Sequence, residues 1–151
     1  EMMDAILRET ESYRFFSRGG LFRDPLVHRE GGVQDAVSAA IAQLSRDLMV
    51  RCIVVETRTG RTAFVISSDR PSSPIIVLTP SESVLRRLQL LWGVVPHLMG
   101  GSRFQVEKSI AYAESFMKGL KLAGSGDYLL MVRGIGYKKT DIQSITVHQM
   151  S

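Results

Sequence analysis

The stretch Cys52-Ile53-Val54-Val55-Glu56-Thr57-Arg58-Thr59-Gly60-Arg61-Thr62 decides how the rest of the chain is read. Its first four residues are apolar and largely β-branched, with no alternation, as in a parallel strand buried on both faces. Gly60-Arg61-Thr62 then opens a helical stretch that runs to about Asp69. A strand followed directly by a helix is the repeating step of an α/β sheet.

Working outward, Arg70-Pro71-Ser72-Ser73-Pro74 ends that helix, since proline excludes helical geometry at the preceding residue. Ile75-Ile76-Val77-Leu78 repeats the apolar strand. Thr79-Pro80-Ser81-Glu82 is a helix start signal, with Val84, Leu85, Leu88, Leu91 and Trp92 expected on the inner face. Val94-Val95-Pro96-His97-Leu98 reads as a short third strand. A further helix carries Val106, Ile110, Ala113, Met117 and Leu120 at helical spacing. Gly124-Ser125-Gly126-Asp127 closes it and leads into a fourth strand, Tyr128 to Val132. After Gly134-Ile135-Gly136, Ile142 to Val147 reads as a last strand. Its connection is too short for a crossover helix, so it is expected to return antiparallel.

Upstream, Val33, Ala36, Val37, Ala40, Ile41, Leu44 and Leu48 form one apolar stripe of a helix. Gly19-Gly20, Pro25 and Gly31-Gly32 mark residues 18–31 as a loop. Met3, Ile6, Leu7, Thr10, Tyr13 and Phe16 recur at helical spacing, so residues 1–17 are expected to form an N-terminal helix. That helix is apolar over more than one face and suits either a subunit interface or a core. No initiator methionine or capping residue precedes it, so the chain is expected to be a fragment of something longer. The expectation is a single domain over 1–151, with the α/β body at 32–151.

Composition narrows the classes. The chain has 151 residues, 44% hydrophobic and 23% charged, which is ordinary for one globular domain of roughly 100–200 residues. No apolar run approaches the ~20 residues of a membrane-spanning helix, and residues 1–10 look nothing like a signal peptide. A single cysteine, Cys52, excludes a disulfide framework and suits a reducing, cytoplasmic setting. It reads as a small hydrophobe in the sheet. Nineteen basic and fifteen acidic residues give a net charge of +4. The basic residues are scattered singly or in pairs such as Arg86-Arg87, not gathered in the stripe of a nucleic-acid binder, so neither nucleic acid nor membrane is expected as a partner. The positive balance favours a phosphorylated small molecule.

Familiar catalytic signatures are missing: no GxxxxGK[ST] loop, no GxSxG elbow, no third glycine after Gly134-Ile135-Gly136. His28, His97 and His148 are far apart, with no metal-ligand spacing to Cys52. His97 reads as a structural histidine. The segment Thr57 to Thr62 is different. It brings three hydroxyls, a glycine and two guanidinium groups to the carboxyl end of a parallel strand, where a helix begins. Free backbone amides and the helix dipole favour an anion there, and arginine grips phosphate bidentately. An ordinary strand-to-helix turn also calls for a threonine cap, a glycine and exposed arginines. Spacing alone leaves both readings open.

The string from Asp35 to Met99 resembles the C-terminal domain of pyruvate kinase. The similar pieces are Ala36-Val37-Ser38-Ala39-Ala40, Ile53 to Ala63, Arg70-Pro71-Ser72-Ser73-Pro74-Ile75-Ile76, Leu90-Leu91-Trp92-Gly93-Val94-Val95-Pro96 and Gly126-Asp127. Their order and spacing carry the resemblance over about residues 33–133. It implies a three-layer α/β sandwich with a five-stranded mixed sheet of order 3-2-1-4-5, the last strand antiparallel and helices on both faces. It further implies that segment 57–62 corresponds to the loop that holds a phosphate of a sugar-phosphate effector in allosteric members. Thr57, Thr59, Gly60 and Thr62 would then donate hydrogen bonds, and Arg58 and Arg61 would add charge. The closing loop, Gly134-Ile135-Gly136-Tyr137-Lys138-Lys139-Thr140-Asp141, departs from the family's glycine-rich run into Thr-Asn. Its Lys138 and Lys139 are expected at a second phosphate.

The family's catalytic residues lie in a β/α barrel that 151 residues cannot contain. The chain by itself is therefore expected to be inactive in phosphate transfer, without a cofactor of its own, Mg2+ and K+ belonging to the barrel. Expected partners are a sugar-phosphate or nucleotide effector, the barrel, and further copies in a homo-oligomer, a tetramer in the full enzyme. A free-standing phospho-ligand module and a purely structural assembly domain are the alternatives.

Overall fold

The computed structural model describes residues 2–6, 8–9, 33–99, 106–133 and 144–151. The chain divides into two compact units, Glu1–Glu30 and Gly31–Ser151. In the first, residues 2–6 and 8–9 are helical, with Met2, Met3 and Ile6 exposed and an ion pair between Arg8 and Asp4 at 3.0 Å. The rest of the expected helix to residue 17 and the loop 18–31 lie outside the described residues.

The second unit runs α1 (Val33–Asp47), β1 (Cys52–Glu56), α2 (Arg61–Ser68), β2 (Ile75–Thr79), α3 (Glu82–Leu88), β3 (Val94–Leu98), α4 (Val106–Gly119), β4 (Tyr128–Arg133) and β5 (Ser144–Gln149). The five strands form one sheet of order β3-β2-β1-β4-β5. β1 pairs parallel with β2 and β4, β2 parallel with β3, and β4 antiparallel with β5. Sheet order and strand directions are those the sequence reading implies.

Every residue of β1 and β2 is buried, which is why these strands show no polar alternation. Side chains of one β1 face, Ile53 and Val55, join Ile75, Val77, Leu130 and Val132 under Ile41 of α1, Ala63 and Ile66 of α2, and Val84 and Leu88 of α3. The other face, Cys52 and Val54, joins Ile76, Leu78, Leu129 and Met131 under Ala113 and Met117 of α4. Helices thus cover both faces, and burying each of these large side chains contributes about 1.5–3 kcal/mol.

Four details differ from the reading of the sequence. In α1, Ala36 and Ala40 are exposed, as is Leu48 just past its end, while Ser38 and Ser45 turn inward with Ile41 and Ala42. The hydroxyls make this possible: Ser38 donates to the Val65 carbonyl at 3.2 Å, and Ser45 to the Ala42 carbonyl at 2.9 Å. Helix α3 stops at Leu88, so Trp92 is not on its inner face. It is 49% exposed, with the Arg70 guanidinium 5.8 Å from its ring centre. Leu120 lies past the end of α4 and is exposed. The last strand, described from Ser144, runs to Gln149, two residues beyond the expected end at Val147, its register set by pairing Val132 with Ile145 and Leu130 with Val147.

Candidate functional site at the carboxyl end of the central strand

Strand β1 is the middle strand, and its carboxyl end delivers Glu56 and then the loop Thr57–Gly60 into α2. The loop is built from its own residues. The Thr57 amide donates to the Leu78 carbonyl at 3.0 Å, which ties the loop to β2. The buried Thr57 hydroxyl accepts from the Gly60 amide at 2.9 Å, and the exposed Thr59 hydroxyl sits 3.4 Å from the Arg61 amide. Gly60 caps the helix at φ +84°, the left-handed region that glycine enters without penalty. A β carbon there would also meet Val84 Cγ1 at 3.2 Å and Leu88 Cδ2 at 3.3 Å. The amides of Thr62 and Ala63, in the first turn, have no acceptor within the helix.

Of the residues singled out in the sequence, Arg58, Thr59 and Arg61 are exposed, while Thr57, Gly60 and Thr62 are buried. Thr57 serves the loop's own geometry. Lys138 and Lys139 lie outside the described residues.

Thr59, Gly60 and Arg61 line an open cleft of about 210 Å³, closed on its other side by Val84, Arg87, Leu88 and Leu91, with Phe64 beside them. That volume falls below the roughly 300–1,000 Å³ of pockets that enclose drug-sized ligands. It accommodates a small anionic group presented at a surface. Among the described residues, neither Arg61 nor Arg87 has a carboxylate partner. The neighbouring Arg86 does, pairing with Glu82 at 2.6 Å. Two guanidinium groups without a carboxylate partner among the described residues, a hydroxyl and the start of a helix therefore face one opening, an arrangement suited to phosphate oxygens.

Arg87 escaped the sequence reading, where it was one of a scattered basic pair. The signal was available: Glu82 and Arg86 are four residues apart and pair along the helix, which leaves the next arginine on a different side.

The remaining candidates have structural roles. Cys52 is fully buried, and that burial pushes its thiol up to about 12. His97 packs edge-on to Phe116 and Tyr112, at ring separations of 4.7 and 5.4 Å, with its Nδ1 2.9 Å from the Tyr112 hydroxyl. Burial lowers its pKa. His148 Nε2 lies 2.7 Å from Glu114 Oε1. Among the described residues, no three His, Cys, Asp or Glu side chains are placed to hold a metal ion. None of the described helices is long and apolar enough to cross a membrane.

Comparison with known proteins agrees with the resemblance read from the sequence. The family model for the pyruvate kinase alpha/beta domain matches residues 35–148. A pyruvate kinase of Agrobacterium vitis is 34% identical over 141 residues, covering 91% of this chain and 28% of that protein. One from Eimeria tenella is 36% identical over 103 residues, covering 68% of this chain and 19% of that protein. A solved structure of Cryptosporidium parvum pyruvate kinase in complex with ADP superposes with a TM-score of 0.73 at 26% identity. It covers 83% of this chain and 25% of that one. The chain thus spans only 19–28% of the length of these relatives. With the matched segment running from α1 to β5, the chain belongs to the pyruvate kinase alpha/beta domain family.

Proposed function

We propose that this chain is the C-terminal regulatory and subunit-contact domain of a pyruvate kinase and binds a phosphorylated effector in the cleft beside loop 57–62. The observation that carries the reading is the pairing of Arg61 with Arg87 across one opening, without a carboxylate partner among the described residues. Thr59 and the first-turn amides of α2 supply neutral donors, and Arg58, exposed on the same loop, adds charge. Lys138 and Lys139, outside the described residues, are proposed for a second phosphate. A sugar phosphate or nucleotide offers the doubly charged, oxygen-rich group that such donors match.

In the full enzyme, phosphoenolpyruvate and ADP would give pyruvate and ATP in the cytoplasm, as a step of glycolysis. That chemistry, with its Mg2+ and K+, belongs to a barrel outside this chain, and the domain's partners are that barrel and further copies in a tetramer. The effector acts by binding one quaternary arrangement more tightly than another, since equal affinity for both shifts nothing.

Calorimetric titration of the full natural chain with fructose 1,6-bisphosphate, glucose 6-phosphate, ribose 5-phosphate and AMP tests the reading. At least one is expected to bind, and Arg61→Ala to weaken it by about 1.5–3 kcal/mol, the scale of a hydrogen bond to a charged group. No binding by a folded sample, or binding indifferent to Arg61→Ala, overturns it.

A further inference from the structure

Directly beneath the loop lies a cluster that the effector reading does not use. Among the described residues, Glu56 is the only buried side chain that carries a charge, at 6% exposure. Both of its oxygens are engaged. Oε1 accepts from the Ser109 hydroxyl of α4 at 2.5 Å, and Oε2 accepts from Nε of Arg133 at 3.3 Å. Ser109 is fully buried. Glu56 and Arg133 are also register partners, the last residues of β1 and β4.

The position has topological meaning. From β1 the chain passes through α2 to β2 on one side, whereas β4 is reached from β3 through α4, which covers the opposite face. The carboxyl ends of β1 and β4 therefore flank the point where the winding reverses, which is where open α/β sheets take their ligands. The residue after Glu56 is Thr57, whose hydroxyl holds Gly60.

Stability does not account for the cluster. Only the Glu56 end of the pair is buried, the Arg133 side chain being 41% exposed. Replacing a buried charge together with its partner by apolar residues of similar volume is often neutral or stabilising, and the preceding β1 positions are Val54 and Val55. What the charged pair adds is direction: it fixes three elements relative to one another at the root of the loop.

We propose that Glu56 and Arg133, with Ser109, are positioning residues that lock the carboxyl ends of β1 and β4 and so hold loop 57–62 in its anion-receiving geometry. This rests on the effector reading for its consequence, but not for its structural content.

The deciding variant, in the full natural chain, is Glu56→Met combined with Arg133→Met, which replaces the pair with apolar volume. Thermal stability is expected to stay within a few degrees of the parent. Hydrogen exchange of the segment 57–62 is expected to quicken by tenfold or more. Affinity for whichever of the four phosphate esters the parent binds is expected to fall about tenfold. Glu56→Gln and Arg133→Gln alone should each loosen the same segment, and their combination no further than the worse of the two. Cys52→Ala, at the other end of β1, lowers stability but should leave exchange at 57–62 and affinity unchanged. Exchange at 57–62 equal to the parent's in the Met pair overturns the positioning role, whatever happens to stability. Faster exchange in a chain that binds none of the esters keeps the positioning role and removes the effector reading. If the Met pair does not fold, the two Gln variants decide on the same exchange criterion.

Discussion

Gly60 is where a single residue settles the shape of the loop. Its φ of +84° and the contacts a β carbon would make with Val84 and Leu88 act together, so relaxing one does not relieve the other. Gly60→Ala is expected to cost about 1–3 kcal/mol, the range for a non-glycine residue held in a left-handed conformation. Urea denaturation measures it, and a midpoint unchanged from the parent would contradict the geometry. Cys52 shows burial acting on chemistry. With its thiol pushed up to about 12, almost none is thiolate at pH 8, and the thiolate is the reactive form. The folded chain should resist iodoacetamide at pH 8 and label promptly once denatured in urea. Fast labelling of the folded chain would place Cys52 outside the sheet interior.

At the scale of elements, strands were more legible than helix faces. Ile53 to Val55 and Ile75 to Leu78 are apolar because helices cover both sides of the sheet, and continuous apolarity survives any choice of face. Helix α1 was harder. Its inward positions include Ser38 and Ser45, which pattern counting scores as polar, yet each hydroxyl finds a carbonyl and its small volume suits a close helix contact. Apolar spacing continues past the end of α3 at Leu88, which is why it points Trp92 inward where the structure does not. The pairing of α4 with β5 bears a prediction of its own. Glu114 lies below the usual carboxylate range, chiefly through its hydrogen bond with His148 and further through Lys118 and Ser151, against the opposing effect of burial. A depressed folded-state pKa gives stability that is present above the unfolded value of about 4.3 and lost as pH falls through the folded one. Melting temperature should therefore drop between pH 5 and 3, and Glu114→Gln should flatten that drop. An equal drop in the variant would remove Glu114 as its source.

Over the whole molecule, half of the candidate site could be read from one contiguous segment and half could not. Thr57 to Thr62 announced itself because hydroxyls, glycine and arginines sit together in sequence. Arg87 belongs to the next helix and joins Arg61 only because α2 and α3 pack on the same face of the sheet, a proximity created by the fold. Glu56 and Arg133 meet for the same reason, through strand register. Because the cleft is open and its charges face water, binding and stability should be linked in a salt-dependent way. A ligand at a hundred times its dissociation constant raises stability by about 2.7 kcal/mol when it binds only the folded state. Screening over a Debye length of about 3 Å in 1 M salt, against about 10 Å in 0.1 M, weakens an exposed guanidinium–phosphate contact. The stabilisation given by a fixed concentration of the bound phosphate ester should accordingly shrink as KCl rises from 0.1 to 1 M. Combining Arg61→Ala with Arg87→Ala should abolish most of it already at 0.1 M, while the ligand-free melting temperature changes little, since both side chains extend toward the opening. Thermal melts with and without ester at the two salt concentrations measure all four quantities. Stabilisation that persists in the double variant would place the anion elsewhere on the chain and leave the cleft between α2 and α3 without its proposed occupant.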